Sequence, residues 1–226
     1  MTHEINRSFI RPDKSLIDKI NQQHVGVAGF EAGPRQVAHP DIKPLDPDWR
    51  ICGPALTVRP QYWDDRLVSE LAPKFAEPGD IIVIDAGGHI DSAAWGMSMT
   101  RAAAAAGVAG IVIDGSCMNS ALLAREQPLI PIFARGISAT TRGAEYPGSI
   151  NIPVICGGVI VNPGDIILAD SDGVVVLPPA LAAKIIAGCE AHDRQARSDN
   201  EQNVPFYKTK NSEEKLSTFR DITWRD

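Results

Sequence analysis

The 226-residue chain has no run of Lys or Arg longer than two, and its 28 acidic side chains outnumber 22 basic ones, for a formal charge of −6. Nucleic-acid footprints are basic and clustered, so direct DNA or RNA readout is disfavoured. No apolar stretch reaches the ~18–20 residues that cross a bilayer. The longest, Ala102 to Ile113, stops at Asp114. The N-terminus is polar and lacks a hydrophobic signal core, which predicts a cytoplasmic protein with no membrane partner. Four scattered cysteines, Cys52, Cys117, Cys156 and Cys189, form no C-x-x-C pair. Zinc sites and disulfide frameworks want tighter spacing, so these residues read as small hydrophobes or surface thiols. There is no P-loop, Rossmann glycine fingerprint, HExxH, GxSxG or calcium loop.

Hydrophobic residues make up 44% of the chain and charged residues 22%, the balance of a soluble globular protein. Residues 1–50 read as an N-terminal helix, Lys14 to Gln23, followed by a Pro/Gly-rich arm from Gly26 to Trp49. Residues 51–196 read as the core domain, and 197–226 as a polar tail with isolated aromatics. Within the core, strands are expected at 55–60, 81–85, 110–114 and 131–135. Helices are expected at 64–76, 96–106, 120–125 and from Pro179 to about Ala196. Such alternation predicts a layered α/β fold. EPGDIIVIDAGG at 77–88 recurs as NPGDIILADSDG at 162–173, an offset of 85. This is either a common turn-and-strand solution or a pseudo-symmetric pair of strands. The second copy runs into GVVVLP as a hairpin.

The chemically informative segment is 85–119. A strand ends at Asp85, and a glycine loop carries His89, Asp91 and Ser92. The helix starting at Gly96 offers the free amides of Met97, Ser98 and Met99, an anion site made of backbone and dipole. The next strand ends near Asp114, and its loop carries Cys117, Met118 and Asn119. Ligands of open α/β sheets sit where such loops converge. His89 is a candidate general base, Asp91 a second proton carrier or a turn cap. Arg135, after the PIFA strand, is a candidate cation for an acidic substrate.

The segments PGDIIVID, SAAWG, RAAAAAGVAGIVIDG, PIFARG and GDIILADSDGVVVLP cover more than half the chain in order. On them the chain resembles the RraA-like superfamily, which includes metal-dependent aldolases of 4-hydroxy-4-methyl-2-oxoglutarate and 4-carboxy-4-hydroxy-2-oxoadipate and regulators of ribonuclease E. The resemblance implies a swivelling β/β/α domain, mixed sheets with flanking helices, assembled as homotrimers or homohexamers. It also implies a magnesium or manganese ion held by an acid, twenty residues, Arg-Asp signature, with the Arg gripping the substrate carboxylate. Here those positions hold Met97, Met118 and Asn119. Only Asn119 keeps an oxygen at the metal position, and it is uncharged, so the standard metal-aldolase chemistry is expected to be lost. The expectation is then a divergent lyase or decarboxylase acting on a small 2-oxo or hydroxy acid. Its acid would be held by Gly96, Met97, Ser98, Met99, Met118 and Arg135, with His89 and Asp91 moving protons. The alternatives are a non-catalytic regulator, as in the ribonuclease E regulators, or a scaffold subunit for an active paralogue.

Overall fold

The computed structural model describes residues 4–63, 65–125, 130–201 and 214. In chain order the elements are β1 (Glu4–Ile5), α1 (Lys14–Asn21), α2 (Val25–Ala32), β2 (Lys43–Pro44), β3 (Ile51–Pro60), α3 (Leu67–Leu71), β4 (Ile81–Trp95), α4 (Met97–Ala105) and β5 (Gly110–Cys117). There follow α5 (Ser120–Leu123), β6 (Ile132–Ile137), β7 (Gly148–Ile150), β8 (Val154–Cys156), β9 (Val159–Val161), β10 (Ile166–Asp170), β11 (Gly173–Leu177) and α6 (Pro179–Glu201). Most of the tail lies outside the described residues.

Strands β3, β4, β5 and β6 pair in parallel, in that order, and β7 and β2 flank them antiparallel. Helices cover one face of this sheet and strands β8 to β11 the other, so both faces are buried and the strands read as near-continuous apolar runs. The alternation on β4 shows this directly. Ile82 and Ile84 point into one core with Trp95, Met99 and Ile113, while Ile81 and Val83 point into another with Phe133, Val112 and Val161. The hairpin β10–β11 joins β3 at Ile51–Pro54. Its outer face, Ile166, Leu168, Val175 and Leu177, is covered by Ile20 of α1, Ala28 of α2 and Ile185 of α6. The result is the mixed α/β architecture, sheets with flanking helices, that the sequence predicts.

The sequence repeat is a repeat of structure. In each copy the Pro-Gly-Asp turn places Gly in a positive-φ conformation, Gly79 at 96° and Gly164 at 89°, which a side chain would strain. The carboxylate of Asp80 accepts from the Glu77 amide and that of Asp165 from the Asn162 amide, both at 2.8 Å. At the far end, Asp85 accepts from Gly87 N and Asp170 from Asp172 N. Both strands pair with β3, β4 in parallel and β10 antiparallel.

Two local expectations change. Residues 26–32, expected as the start of the loop, belong to α2, Val25–Ala32. The glycines there serve packing: a Cβ on Gly29 would stand 3.3 Å from Val37 Cγ2 and 3.4 Å from Val175 Cγ2. Residues 86–95, also expected as loop, continue β4. Gly87 and Gly88, at φ 64° and 74°, begin a stretch of three register shifts after which His89, Ala93 and Trp95 still pair with Gly115, Ser116 and Cys117. Irregular, bulged strand of this kind re-aims side chains beside sites.

Candidate functional site

The end of β4 and the start of α4 are held by a fully buried Trp95. Its indole N–H donates to Thr100 Oγ1 at 2.9 Å, and Thr100 Oγ1 in turn donates to Gly96 O at 3.1 Å. Thr100 N closes the first helical turn onto Gly96 O. The amides of Met97, Ser98 and Met99 precede that ladder, so they have no acceptor within the helix. Gly96 packs closely against the next loop: a Cβ there would meet Met118 Cγ at 3.1 Å and Asn119 Oδ1 at 3.4 Å. The loop after β5 is locked in place by Met118 N donating to Trp95 O at 2.9 Å. Asn119 adopts the left-handed conformation, φ 63°, at the head of α5, as Asn does more readily than most residues.

These two loops form a cleft of about 290 Å³, lined by Gly96, Met97, Ser98, Met99, Met118 and Asn119. The cleft is also lined by a residue that sequence reasoning missed. Arg66, at the head of α3, lines the same cleft together with Glu70 and Thr141. Arg66 Nε donates to Glu70 Oε1 at 2.6 Å, and Nη1 donates to Arg142 O at 2.7 Å and to Thr141 Oγ1 at 3.4 Å. Nη2 makes no hydrogen bond to the described residues, which leaves a guanidinium edge for a ligand.

His89 and Asp91 lie in a neighbouring cleft of about 700 Å³. Their closest approach is 3.9 Å, Nδ1 to Oδ2. The His89 imidazole stacks on the Trp63 indole, ring centroids 4.2 Å apart and planes within 3°, so its orientation is fixed. Consecutive residues line the two clefts: Asp65 and Arg66, Ser92 and Ala93, Thr140 and Thr141. The partition is stitched by Ala93 N donating to Thr140 O and Thr141 Oγ1 donating to Ala93 O, both at 2.9 Å. Asp91, expected as a helix cap or proton carrier, stands exposed on the irregular end of β4.

Arg135 lines neither cleft. Its Nε donates to Asp114 Oδ1 at 2.7 Å and its Nη2 forms an ion pair with the same oxygen at 2.6 Å, while Asp114 Oδ2 accepts from Gly157 N at 2.7 Å. Cys117 is fully buried, and burial pushes its thiol up to about 11, so it is protonated and unreactive at neutral pH.

A model of the RraA-like family, Aldolase/RraA, matches residues 15–176. The chain belongs to this family. It is 37% identical to "Putative 4-hydroxy-4-methyl-2-oxoglutarate aldolase" of Halalkalibacterium halodurans, over 74% of this chain and 80% of that protein. A protein of the same name from Burkholderia mallei is 32% identical, over 66% of this chain and 88% of its own. Among solved structures, Streptomyces coelicolor RraAS2, described as an unusual member of the RNase ES inhibitor RraA protein family, superposes with a TM-score of 0.74. It is 27% identical and covers 85% of this chain and 100% of its own.

The family's aldolases bring a divalent ion to mind, so the donors present decide whether one fits. Among the described residues, no three His, Cys, Asp or Glu side chains gather to hold a metal. The 290 Å³ cleft offers one carboxylate, Glu70, already tied to Arg66, along with three thioethers and one neutral amide. Magnesium and manganese want charged oxygen ligands. This donor set does not fit them.

Proposed function

We propose that this RraA-like chain is a divergent lyase or decarboxylase that binds a small 2-oxo or hydroxy acid without the family's metal. The observation that carries the reading is the position of Arg66. It lines the same cleft as the α4 N-terminus, from an element outside the Arg-Asp signature. A carboxylate between the two meets a guanidinium edge on one side and a helix N-terminus on the other. Both favour an anion, and the charge-assisted bond to Arg is the larger contribution.

Cleavage of a carbon–carbon bond beside a carbonyl leaves an electron pair that collects on oxygen as an enolate. Donors aimed at that oxygen each contribute roughly 10²–10³ in rate, and Arg66 with the first-turn amides supplies them here. The carbanion carbon then needs a proton. His89, held flat on Trp63 beside Asp91, is the group in the adjoining cleft suited to deliver one. Arg135 and Asp114 are left to the fold. A cytoplasmic homotrimer or homohexamer is part of the same proposal; among the described residues, no helix is long and apolar enough to cross a membrane.

The test is thermal stabilisation by pyruvate and by oxalate in the presence of EDTA, followed by oxaloacetate turnover. A ligand at 100 times its Kd stabilises by about 2.7 kcal/mol, a clear shift. Absence of any shift with small acids favours the second reading, a non-catalytic regulator. That reading is supported by the loss of charge at Met97, Met118 and Asn119 and by the structural likeness to RraAS2.

A further inference from the structure

The larger cleft has features that a proton carrier alone does not require. Its volume, about 700 Å³, falls in the range of small-molecule sites and far exceeds what a pyruvate-sized acid fills. Aromatic residues are only 6% of the chain, yet Tyr62, Trp63 and Tyr146 all line this one cleft. They are 38%, 47% and 43% exposed.

The rings are also held in place. One face of Trp63 is taken by His89. Tyr62 meets Tyr146 edge to face, centroids 4.8 Å apart at 76°. The segment bearing Tyr146 is pinned by Asp65, whose Oδ2 accepts from the amides of Glu145 and Tyr146 at 2.7 and 3.0 Å, while its Oδ1 accepts from Leu67 N at 2.9 Å. Rigid aromatic surface binds at low entropic cost.

A second, independent sign lies in the same cleft. Ser92 is 7% exposed, and its Oγ has no hydrogen-bond partner among the described residues. Buried hydroxyls are nearly always bonded, and an orphan one asks for an explanation.

Resting on the carboxylate site proposed above, we infer that the aromatic cleft receives a ring. The substrate class is a small acid that carries a hydroxylated ring: the ring lies against Trp63 and the tyrosine pair, a ring hydroxyl satisfies Ser92, and the acid reaches over the partition to Arg66. An aromatic acid and a cyclic sugar acid share this chemistry, since both present a flat face and hydroxyls.

The experiment is isothermal titration of the full chain with five probes: pyruvate, 4-hydroxyphenylpyruvate, glucuronate, and the uncharged rings 4-methylphenol and methyl glucoside. One of the two ring acids is expected to bind about five- to tenfold tighter than pyruvate. Preference for 4-hydroxyphenylpyruvate identifies the aromatic source, preference for glucuronate the sugar source. Tyr146→Ala and Ser92→Ala each remove that advantage and leave pyruvate affinity unchanged. Tyr62→Leu, at an exposed ring, repeats the test should Tyr146→Ala fail to fold. If pyruvate does not bind but an uncharged ring does, and Tyr146→Ala abolishes that binding, the carboxylate reading falls and the ring cleft stands. Ring acids that bind no tighter than pyruvate, a Tyr146→Ala loss shared equally by pyruvate, or no binding by any ring-bearing probe would each overturn the inference.

Discussion

Arg66 Nε and Glu70 Oε1 stand 2.6 Å apart, one helical turn from each other, in the cleft that the α4 N-terminus also lines. The pair places one positive and one negative group at a site whose signature positions, Met97, Met118 and Asn119, carry no charge at all. Glu70 both orients the guanidinium and competes with a ligand for it.

From this geometry Arg66→Met is expected to weaken pyruvate or oxalate binding by about 10- to 100-fold, the worth of one charge-assisted contact. Glu70→Gln removes the competing charge and leaves affinity equal or tighter. Titration calorimetry of both variants checks the pair of outcomes. Equal losses in the two would show that the ion pair matters only for folding.

The donor set gives a second expectation. The wild type shows little magnesium-dependent pyruvate aldolase or oxaloacetate decarboxylase activity, and EDTA does not change what activity it has. The triple substitution Met97→Asp, Met118→Arg, Asn119→Asp restores charged oxygen donors at that loop and gains Mn²⁺ binding, read by the manganese resonance signal. Strong wild-type activity that EDTA abolishes is the contrary result.

How far the sequence reaches is clearest at this site. The α4 amides and the loop bearing Met118 and Asn119 were legible, because a strand end, a glycine and an alanine-rich helix follow one another in the chain. Arg66 was not. Its partners Thr141 and Arg142 lie 75 and 76 residues away, and no local pattern distinguishes it from a solvent-facing helix residue. The end of β4 was misjudged for a related reason. Gly87-Gly88 followed by His, Asp and Ser is a good loop signal, but pairing with β5 overrides it through successive register shifts. In α2, Gly29, one of the glycines that argue for loop, is the one that lets the helix approach β11. By contrast, the buried strands needed no tertiary knowledge. IIVID and GIVID are apolar on both faces because both faces are covered.

Arg135 and Asp114 carry a stability prediction. Asp114 is buried, is ion-paired with Arg135 and accepts one bond from its Nε and one from Gly157 N, which ties the β8–β9 hairpin to the sheet. Removing one member of such a pair leaves the other charge unmatched. Arg135→Met is expected to lose about 3 kcal/mol in urea unfolding, with little change in ligand affinity. A cost below about 0.5 kcal/mol would show the pair to be no more than a surface contact.

The thiols make stability depend on pH in the alkaline range. Burial pushes Cys117 and Cys189 up to about 11 and Cys52 to about 12, and raises Cys156 as well. In the unfolded chain these groups ionise near their ordinary value of about 8.5. The folded state therefore holds its thiol protons after the unfolded state has released them. Stability from this source is complete below about pH 8.5 and is lost as pH rises toward about 11, by up to about 1.4 kcal/mol per pH unit for each thiol in that window. The urea midpoint is expected to fall between about pH 8 and about pH 10.5. Other groups titrate there too, so the comparison that isolates the thiols is between wild type and Cys117→Ala. Alanine at 117 costs stability at pH 8, where a buried thiol is lost from the core, but flattens the fall above it. A slope unchanged by the substitution would mean that Cys117 ionises as readily in the folded protein as in the unfolded chain.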